Sequence, residues 1–290
     1  MAPGASASFA SVPNWSAWSP ATPISELNTP TATEGCPYLT RSEHTLYFAS
    51  NRPGGYGALD LYVSHWDAAA KQWGPAINLG PTINTAANEQ CPLLLQNGKH
   101  LLFVSNRPGG AGGLDLWITR AHDQRGDHGW ETPQNLTALN TSADEFGPGS
   151  YQEHGRTVLY FNSNRPGAGG HDLYYSTESH EGGFSAPVPA PGLNTPYQEQ
   201  FAALSKHGLE IFFASDRPGT LGGLDLWSAT RESTSDAWSA PVNLGPTVNT
   251  TAAEGRSAIS WDGTTLIFHS NRAGSVDLYR TTRDRANNRD

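Results

Sequence analysis

The sequence "LYFASNRPGGYGALDLY", residues 46–62, joins two apolar runs through a loop rich in proline and glycine. Its centre, Ser-Asn-Arg-Pro-Gly, returns four more times with small changes. The five copies begin at steps of 55, 58, 52 and 55 residues, at Ser50, Ser105, Ser163, Ser215 and Ser270. Repeats of this length are typical of propeller blades or solenoid units.

Each repeat reads as four short strands. In the second repeat the runs are "CPLLL" (91–95), "HLLFVS" (100–105), "LDLWITR" (114–120) and "WETPQNL" (130–136), separated by turn residues. Proline inside a sheet is tolerated at its edge, so the fourth run is the outermost strand, marked by Pro75, Pro133, Pro187 and Pro241. No segment has a sustained helical period, which indicates an all-β chain. Four-stranded units repeated around an axis are propeller blades.

The chain ends predict how the ring closes. An outer-strand pattern, "WSPATPI" at 18–24, precedes the first innermost strand, and the last repeat stops after its third strand, "VDLYRTT" at 276–282. We therefore expect the N-terminal strand to pair with the C-terminal blade and complete a five-bladed propeller. The predicted domain spans 18–283, with an irregular N-terminal extension at 1–17 and a tail at 284–290.

The repeat pattern, "LNT…E…P…LYFASNRPGG.G.LDLY…W..P.NLG", resembles the TolB-type, WD-like β-propeller repeat of bacterial envelope proteins. The resemblance covers about residues 18–283. It implies a propeller that is often joined to peptidoglycan-binding or other surface modules, and hence a periplasmic or secreted protein. It says little about activity, because one propeller fold serves scaffolds, binders and enzymes. The fifth copy departs from the pattern, with Ala273 in place of proline.

Composition excludes some partners. The formal net charge of −9 argues against nucleic acid, no apolar run is long enough to span a bilayer, and the first 15 residues show no signal-peptide pattern. We expect a monomer.

Cys36 and Cys91 occupy matching places on neighbouring innermost strands. Strands of separate blades usually lie farther apart than the roughly 7 Å that a disulfide allows, so we expect two small buried thiols, with a bridge between them as the alternative.

Three charged positions recur in every copy. They are a glutamate before the innermost strand (Glu34, Glu89, Glu145, Glu199, Glu254), the arginine of the loop (Arg52, Arg107, Arg165, Arg217, Arg272), and an aspartate at the third strand (Asp60, Asp115, Asp172, Asp225, Asp277). The favoured interpretation is structural, since an arginine fork suits a carboxylate. The alternative is a ring of five glutamates that binds a ligand at the axial mouth or holds calcium, although dedicated calcium-loop spacing is absent.

A ligand should be recognised where the copies differ. Two residues after the glutamate the copies carry Cys36, Cys91, Gly147, Phe201 and Arg256. With the glutamates, the predicted ligand-binding residues on this face are Phe146, Tyr197, Gln200, Phe201 and Arg256. Aromatic faces beside amides suit sugars or peptides, and the alternative is that these side chains fill a tapering channel.

Two main functions remain open. The first is an extracytoplasmic propeller that binds a glycan, a peptide or an envelope protein, without a cofactor. The second is a hydrolase, lyase or cyclase at the axial mouth, with Glu254, Arg256 and His269 as catalytic candidates. It requires that the altered fifth loop frees Glu254 from Arg272. The sequence favours the binder, because it lacks nucleophile-elbow, zinc-protease and phosphate-loop motifs. A pure scaffold is a third possibility.

Overall fold

A computed structural model describes residues 14–95, 98–122, 129–179 and 182–286. The predicted extension and tail therefore fall partly outside the described residues, at 1–13 and 287–290. The described residues form five antiparallel sheets and contain no helix, so the predicted all-β, five-bladed propeller is confirmed.

Each blade takes its strands in chain order from the axis outward. Blade 1 comprises β2 (Glu34–Leu39), β3 (Thr45–Ser50), β4 (Asp60–Asp67), β5 (Gln72–Trp73) and β6 (Ile77–Asn78). Blade 2 comprises β7 (Glu89–Leu94), β8 (His100–Ser105), β9 (Asp115–Arg120) and β10 (Gln134–Asn135). Blade 3 comprises β11 (Glu145–Glu153), β12 (Arg156–Ser163), β13 (Asp172–Thr177) and β14 (Val188–Pro189). Blade 4 comprises β15 (Glu199–Leu204), β16 (Glu210–Ser215), β17 (Asp225–Thr230) and β18 (Val242–Asn243).

Blade 5 closes the ring as predicted. It comprises β19 (Glu254–Ile259), β20 (Thr265–Ser270) and β21 (Asp277–Thr282), and its outer strand is β1 (Thr22–Pro23) from the other end of the chain. The two chain ends continue this pairing beyond β1, because Trp15 bridges Arg285 and the Ala286 N–H donates to the Asn14 carbonyl at 2.9 Å. The four predicted edge prolines lie before the outer strands rather than inside them: Pro133, Pro187 and Pro241 directly before, and Pro75 with one residue between.

The core lies between the blades. The second strands are apolar on both faces because each blade packs against a neighbour on either side. Leu101, Leu102, Phe103 and Val104, for example, are all fully buried.

An asparagine before each innermost strand connects consecutive blades through hydrogen bonds. The Asn84 side chain, for example, exchanges two hydrogen bonds with the backbone of Leu61. Asn28 does the same with Leu278, and so locks the seam between blades 1 and 5.

Every innermost strand carries a one-residue bulge just after its glutamate. In blade 1 the register jumps from Gly35–Ala49 to Tyr38–Tyr47, and the first residue inside the jump, Cys36, has a φ of 50°. Cys91, Gly147 and Phe201 have positive φ at the same place, whereas Arg256 does not. The bulge lets innermost strands of adjacent blades approach closely.

This approach corrects the prediction for the cysteines. The Cα atoms of Cys36 and Cys91 lie 4.6 Å apart and the two residues form a disulfide between blades 1 and 2. The prediction of two free thiols was wrong, because it used the usual spacing of strands in separate blades and did not include the bulges.

Candidate functional site

The propeller has two ends. We call the loop face the end that carries the five Arg-Pro-Gly loops and the glutamates, and the hairpin face the end where the first and second strands of each blade connect. The predicted site residues lie near the loop face, except for Arg256, and the axial cavity described below opens on the hairpin face.

The repeated glutamates form a structural clamp inside each blade. All five are 0% exposed. In blade 5 the Glu254 carboxylate accepts hydrogen bonds from the Thr250 N–H (2.8 Å), the Thr250 hydroxyl (2.8 Å) and the Ser270 hydroxyl (2.7 Å). It also pairs with Arg272 at 3.1 Å. The corresponding arginine–glutamate distances in the other blades are between 2.9 and 3.2 Å.

The clamp arginines also hold the loops. Arg52 donates to the Leu27 carbonyl at 2.8 Å, and its guanidinium lies 5.1 Å from the rings of both Phe48 and Tyr62. The repeated aspartates have a separate partner: Asp60 accepts from the backbone N–H groups of Tyr56 and Gly57, and so fixes the glycine-rich loop. The opening motif therefore positions loops, as the structural interpretation predicted.

These contacts leave the glutamates no free oxygen to offer a ligand. Each carboxylate points into its own blade, so the five do not form a ring facing the axis. Among the described residues no group of three or more histidine, cysteine, aspartate or glutamate side chains is placed to hold a metal ion. The condition for Glu254 as a catalyst, freedom from Arg272, is not met.

The remaining predicted residues separate into two groups. Near the loop face the rings of His171, Phe146, Phe201 and His269 form an edge-to-face row with centroid distances of 5.0, 5.3 and 5.6 Å. Gln200 donates to the Gln198 side chain at 3.0 Å, and Tyr197 is exposed at the rim. The row packs these rings against one another across blades 3, 4 and 5.

His269 acts here as a hydrogen-bond acceptor. Its Nδ1 accepts the Cys36 N–H at 3.2 Å and so fixes the bulge of blade 1. Asn162 makes the equivalent bond to the Phe201 N–H in blade 4. Burial, with a smaller contribution from the charge of Arg256, lowers the pKa of His269 to about 4, so the ring is neutral and holds its proton on Nε2.

Arg256 faces the opposite way, into a cavity that opens on the hairpin face. This axial cavity has a volume of about 490 Å³ and continues inward into a smaller cavity of about 50 Å³ that ends at Arg256. The rim of the axial cavity carries Trp261, with the Arg41 guanidinium 4.5 Å and the Lys206 amine 6.0 Å from its ring centroid. The wall includes Tyr38 and the hydroxyl residues Thr40, Ser42, Ser150 and Ser260.

A second cavity lies beside the axial cavity, between blades 1 and 5. This inter-blade cavity has a volume of about 280 Å³ and shares Leu39 and Ser42 with the axial cavity. Trp66 and Trp73 line it, with their rings edge to face at 5.5 Å. The two cavities together form a cleft with an indole near each end.

Glu43 lines this cleft in a strained conformation. Its φ is 61°, and its N–H donates to the Thr40 carbonyl to close the blade 1 hairpin. The equivalent turn positions in blades 2, 4 and 5 are Gly98, Gly208 and Gly263, with φ of 68°, 66° and 80°. A side chain in this backbone region costs about 1–2 kcal/mol relative to glycine, so a glutamate here is a candidate for function.

Asp262 lies next to Glu43, since its N–H donates to Glu43 Oε1 at 3.3 Å. It follows Trp261 directly, so both carboxylates are adjacent to residues of the axial cavity. Burial alone would raise the pKa of Asp262, but hydrogen bonds from Ser260 and Thr264 hold it below the ordinary value. One carboxylate at the cleft is therefore kept ionised.

Comparison with solved structures supports the fold over about nine-tenths of the chain. A thermostable family-43 glycoside hydrolase matches with a TM-score of 0.60 at 12% identity, covering 88% of this chain and 90% of that one. An α-L-arabinofuranosidase from Lactobacillus brevis gives 0.59 at 12%, covering 90% and 94%. The arabinanase from Bacillus subtilis gives 0.60 at 11%, covering 89% and 96%. No family model matches the chain. No curated protein matches it in sequence.

These comparisons correct two predictions. The propeller implied by the TolB-type resemblance is supported, but the TolB-type family is not, because the matches reported above are glycoside hydrolase propellers. The prediction that put a binding propeller first was wrong, because the structures matched over nearly the whole of both chains are glycoside hydrolases. None of the described residues forms a helix that could cross a membrane.

Proposed function

We propose that the protein is a glycan-processing hydrolase whose substrate lies in the cleft of the hairpin face. The observation that carries this proposal is Glu43, a glutamate in a left-handed turn position where three other blades have glycine, beside Asp262 and between two tryptophan-lined cavities. The similar propellers are a family-43 glycoside hydrolase, an arabinofuranosidase and an arabinanase. At 11–12% identity they support the fold, and the cleft supports the activity.

The cleft has the shape that a sugar chain requires. Indole rings at Trp261 and Trp66 line the cleft near its two ends, and hydroxyl groups between them offer hydrogen bonds. The junction of the cavities lies at Leu39 and Ser42, next to Glu43. A bond in a chain that spans both cavities would therefore lie near the two carboxylates.

Glycoside hydrolysis uses two carboxyl groups with different protonation states. The hydrogen bonds that keep Asp262 ionised suit it to assist attack at the sugar carbon. Glu43 is then assigned the role of protonating the leaving oxygen. The elements of one water molecule are added across the bond that breaks.

The disulfide supports an extracytoplasmic location. Structural disulfides persist in oxidising compartments and are rare in the cytosol of most organisms. The Cys36–Cys91 bridge therefore favours a protein that works outside the cytoplasm, where polysaccharide substrates occur.

Reducing-sugar release from arabinan, arabinoxylan, xylan and pectin tests the proposal. We expect the wild-type protein to hydrolyse at least one of these, and Glu43→Gln and Asp262→Asn each to lower turnover by roughly 10²–10⁴-fold. Glu131→Gln, an exposed carboxylate on blade 2, is the matched control. Absence of release from all four polymers would refute the activity, and wild-type turnover in both cleft variants would refute the assignment of the site.

A further inference from the structure

Arg256 is a buried cation without a counterion among the described residues. Its side chain is 2% exposed, and its guanidinium makes one hydrogen bond, from Nη1 to the Ala202 carbonyl at 3.3 Å. Its Nε has no partner within the described part of the chain. The five clamp arginines differ, because each pairs with a glutamate. Burial of an unpaired charge is costly, so a retained one indicates a bound anion.

The space in front of Arg256 has the size of one small group. The inner cavity has a volume of about 50 Å³, where one water molecule needs about 10–15 Å³ by the same measure. Ser257 lines it as well, and its hydroxyl has no partner among the described residues. Two residues that carry an unsatisfied polar group therefore line a space of the size of a small group such as a carboxylate.

The approach to this space is also positively charged. Arg41 and Lys206 line the axial cavity, and no acidic residue lines either the axial or the inner cavity in the described part of the chain. The protein as a whole carries a net charge of −9, so this polarity is local to the cavity. Glu43 and Asp262 lie on the side of the inter-blade cavity. Arg41 and Lys206 thus make the approach to Arg256 basic, whereas the inter-blade cavity carries both Glu43 and Arg280.

We infer that the axial cavity binds an acidic sugar residue, with its carboxylate in the inner cavity against Arg256 and Ser257. The guanidinium fork suits a carboxylate and the hydroxyl supplies a further donor. This inference rests on the proposed function and narrows its substrate class to glycans that carry uronic acids. A free inorganic anion such as chloride is negatively charged like the sugar carboxylate, so the experiment must distinguish chloride binding from sugar binding.

Calorimetric binding to the inactive full-length Glu43→Gln/Asp262→Asn protein tests the inference independently of turnover. The probes are trigalacturonate and the neutral trisaccharide xylotriose, in a buffer free of chloride. We expect trigalacturonate to bind at least about tenfold more tightly, since a charge-assisted contact contributes roughly that factor or more. Arg256→Met should remove the difference, and Arg120→Met, which deletes an exposed charge on blade 2, should preserve it.

The folded state of the variant is checked by thermal unfolding. Arg256→Met should unfold at the same or a higher temperature, because an unpaired buried charge is replaced by a side chain of similar length. Arg256→Lys provides a second variant that keeps the charge and loses the fork. It should bind trigalacturonate more weakly than wild type and still more tightly than xylotriose.

Three results would overturn the inference: equal binding of the two trisaccharides, retention of the difference in Arg256→Met, or Arg256-dependent binding of chloride without binding of trigalacturonate. Hydrolysis of neutral polymers together with equal binding would overturn the inference and leave the proposed function standing. Tight binding of trigalacturonate without hydrolysis of any polymer would overturn the proposed function and leave the binding of an acidic sugar standing.

Discussion

Replacement of Glu254 by glutamine separates a structural from a catalytic role for the repeated glutamates. Oε2 of Glu254 accepts the Thr250 N–H, and Oε1 accepts Thr250 Oγ1, Ser270 and Arg272. A glutamine oxygen can replace Oε1, but its NH₂ group then faces the Thr250 N–H, donor against donor. The variant loses one hydrogen bond and leaves Arg272 without its counterion.

The structure gives the size of the effect. Removal of one partner of a buried ion pair costs about 3–5 kcal/mol, and partial exposure of Arg272 places the loss near about 3 kcal/mol. For a chain of this length each kcal/mol lowers Tm by roughly 2–4 °C, so we expect a fall of about 6–12 °C. Turnover per folded molecule should not change, because Glu254 is 0% exposed.

Differential scanning calorimetry and urea unfolding measure the stability, and polysaccharide hydrolysis at a temperature well below both transitions measures the activity. Glu131→Gln is the control, with an expected change within about 0.5 kcal/mol. Unchanged stability of Glu254→Gln together with lost turnover would refute the clamp and restore Glu254 as a catalytic candidate.

Three further predictions concern pH, redox state and strain. The pKa of His269 is about 4 in the folded protein, below its ordinary 6.5, so His269 is protonated in the unfolded chain before it is protonated in the folded protein as the pH falls. The stability present above about pH 6.5 should therefore be lost toward pH 4, by up to about 3 kcal/mol. His269→Asn should flatten this part of a profile of urea midpoint against pH. Reduction of Cys36–Cys91, separated by 55 residues, should lower the free energy of unfolding by up to about 4 kcal/mol in thermal melts with and without dithiothreitol. Glu43→Gly should raise the free energy of unfolding by about 1 kcal/mol, measured in urea, and abolish turnover.

Each of these has a contradicting outcome. A wild-type pH profile in His269→Asn would show that another group titrates. Identical melts of oxidised protein and of a Cys36→Ser/Cys91→Ser variant would show that the bridge adds no stability. A less stable Glu43→Gly protein would show that the carboxylate contributes more to folding than its backbone position costs.

The fold could be predicted from the sequence because each blade repeats the same loop and strand pattern. The Ser-Asn-Arg-Pro-Gly loop sets the repeat length, and the unpaired outer strand at 18–24 indicates the closure onto β21. The arginine–glutamate pairs were also predicted, since a fork and a carboxylate repeated together imply contact. All of these follow from patterns within a single repeat.

The site depends on features that a strand pattern does not show. The bulges in the innermost strands read as ordinary strand residues, so the approach of Cys36 to Cys91 was missed. Arg256, without the left-handed backbone of its counterparts, faces the hairpin end and not the predicted mouth. Glu43 had a visible signal, because alignment of the hairpin turns puts it in a column with Gly98, Gly208 and Gly263.

The pairing of the chain ends has a mechanical consequence. Asn14 and Ala286 are hydrogen-bonded partners, and the bonds continue inward through Ser16–Asp284 and Ser19–Thr282 to β1 and β21. A force that pulls the two ends apart therefore breaks these hydrogen bonds one after another, starting at Asn14 and Ala286, and does not stretch all of them at once. Blades 1 to 4 are each made of one continuous segment, so the pairing of β1 with β21 in blade 5 is where the ring should first open under tension.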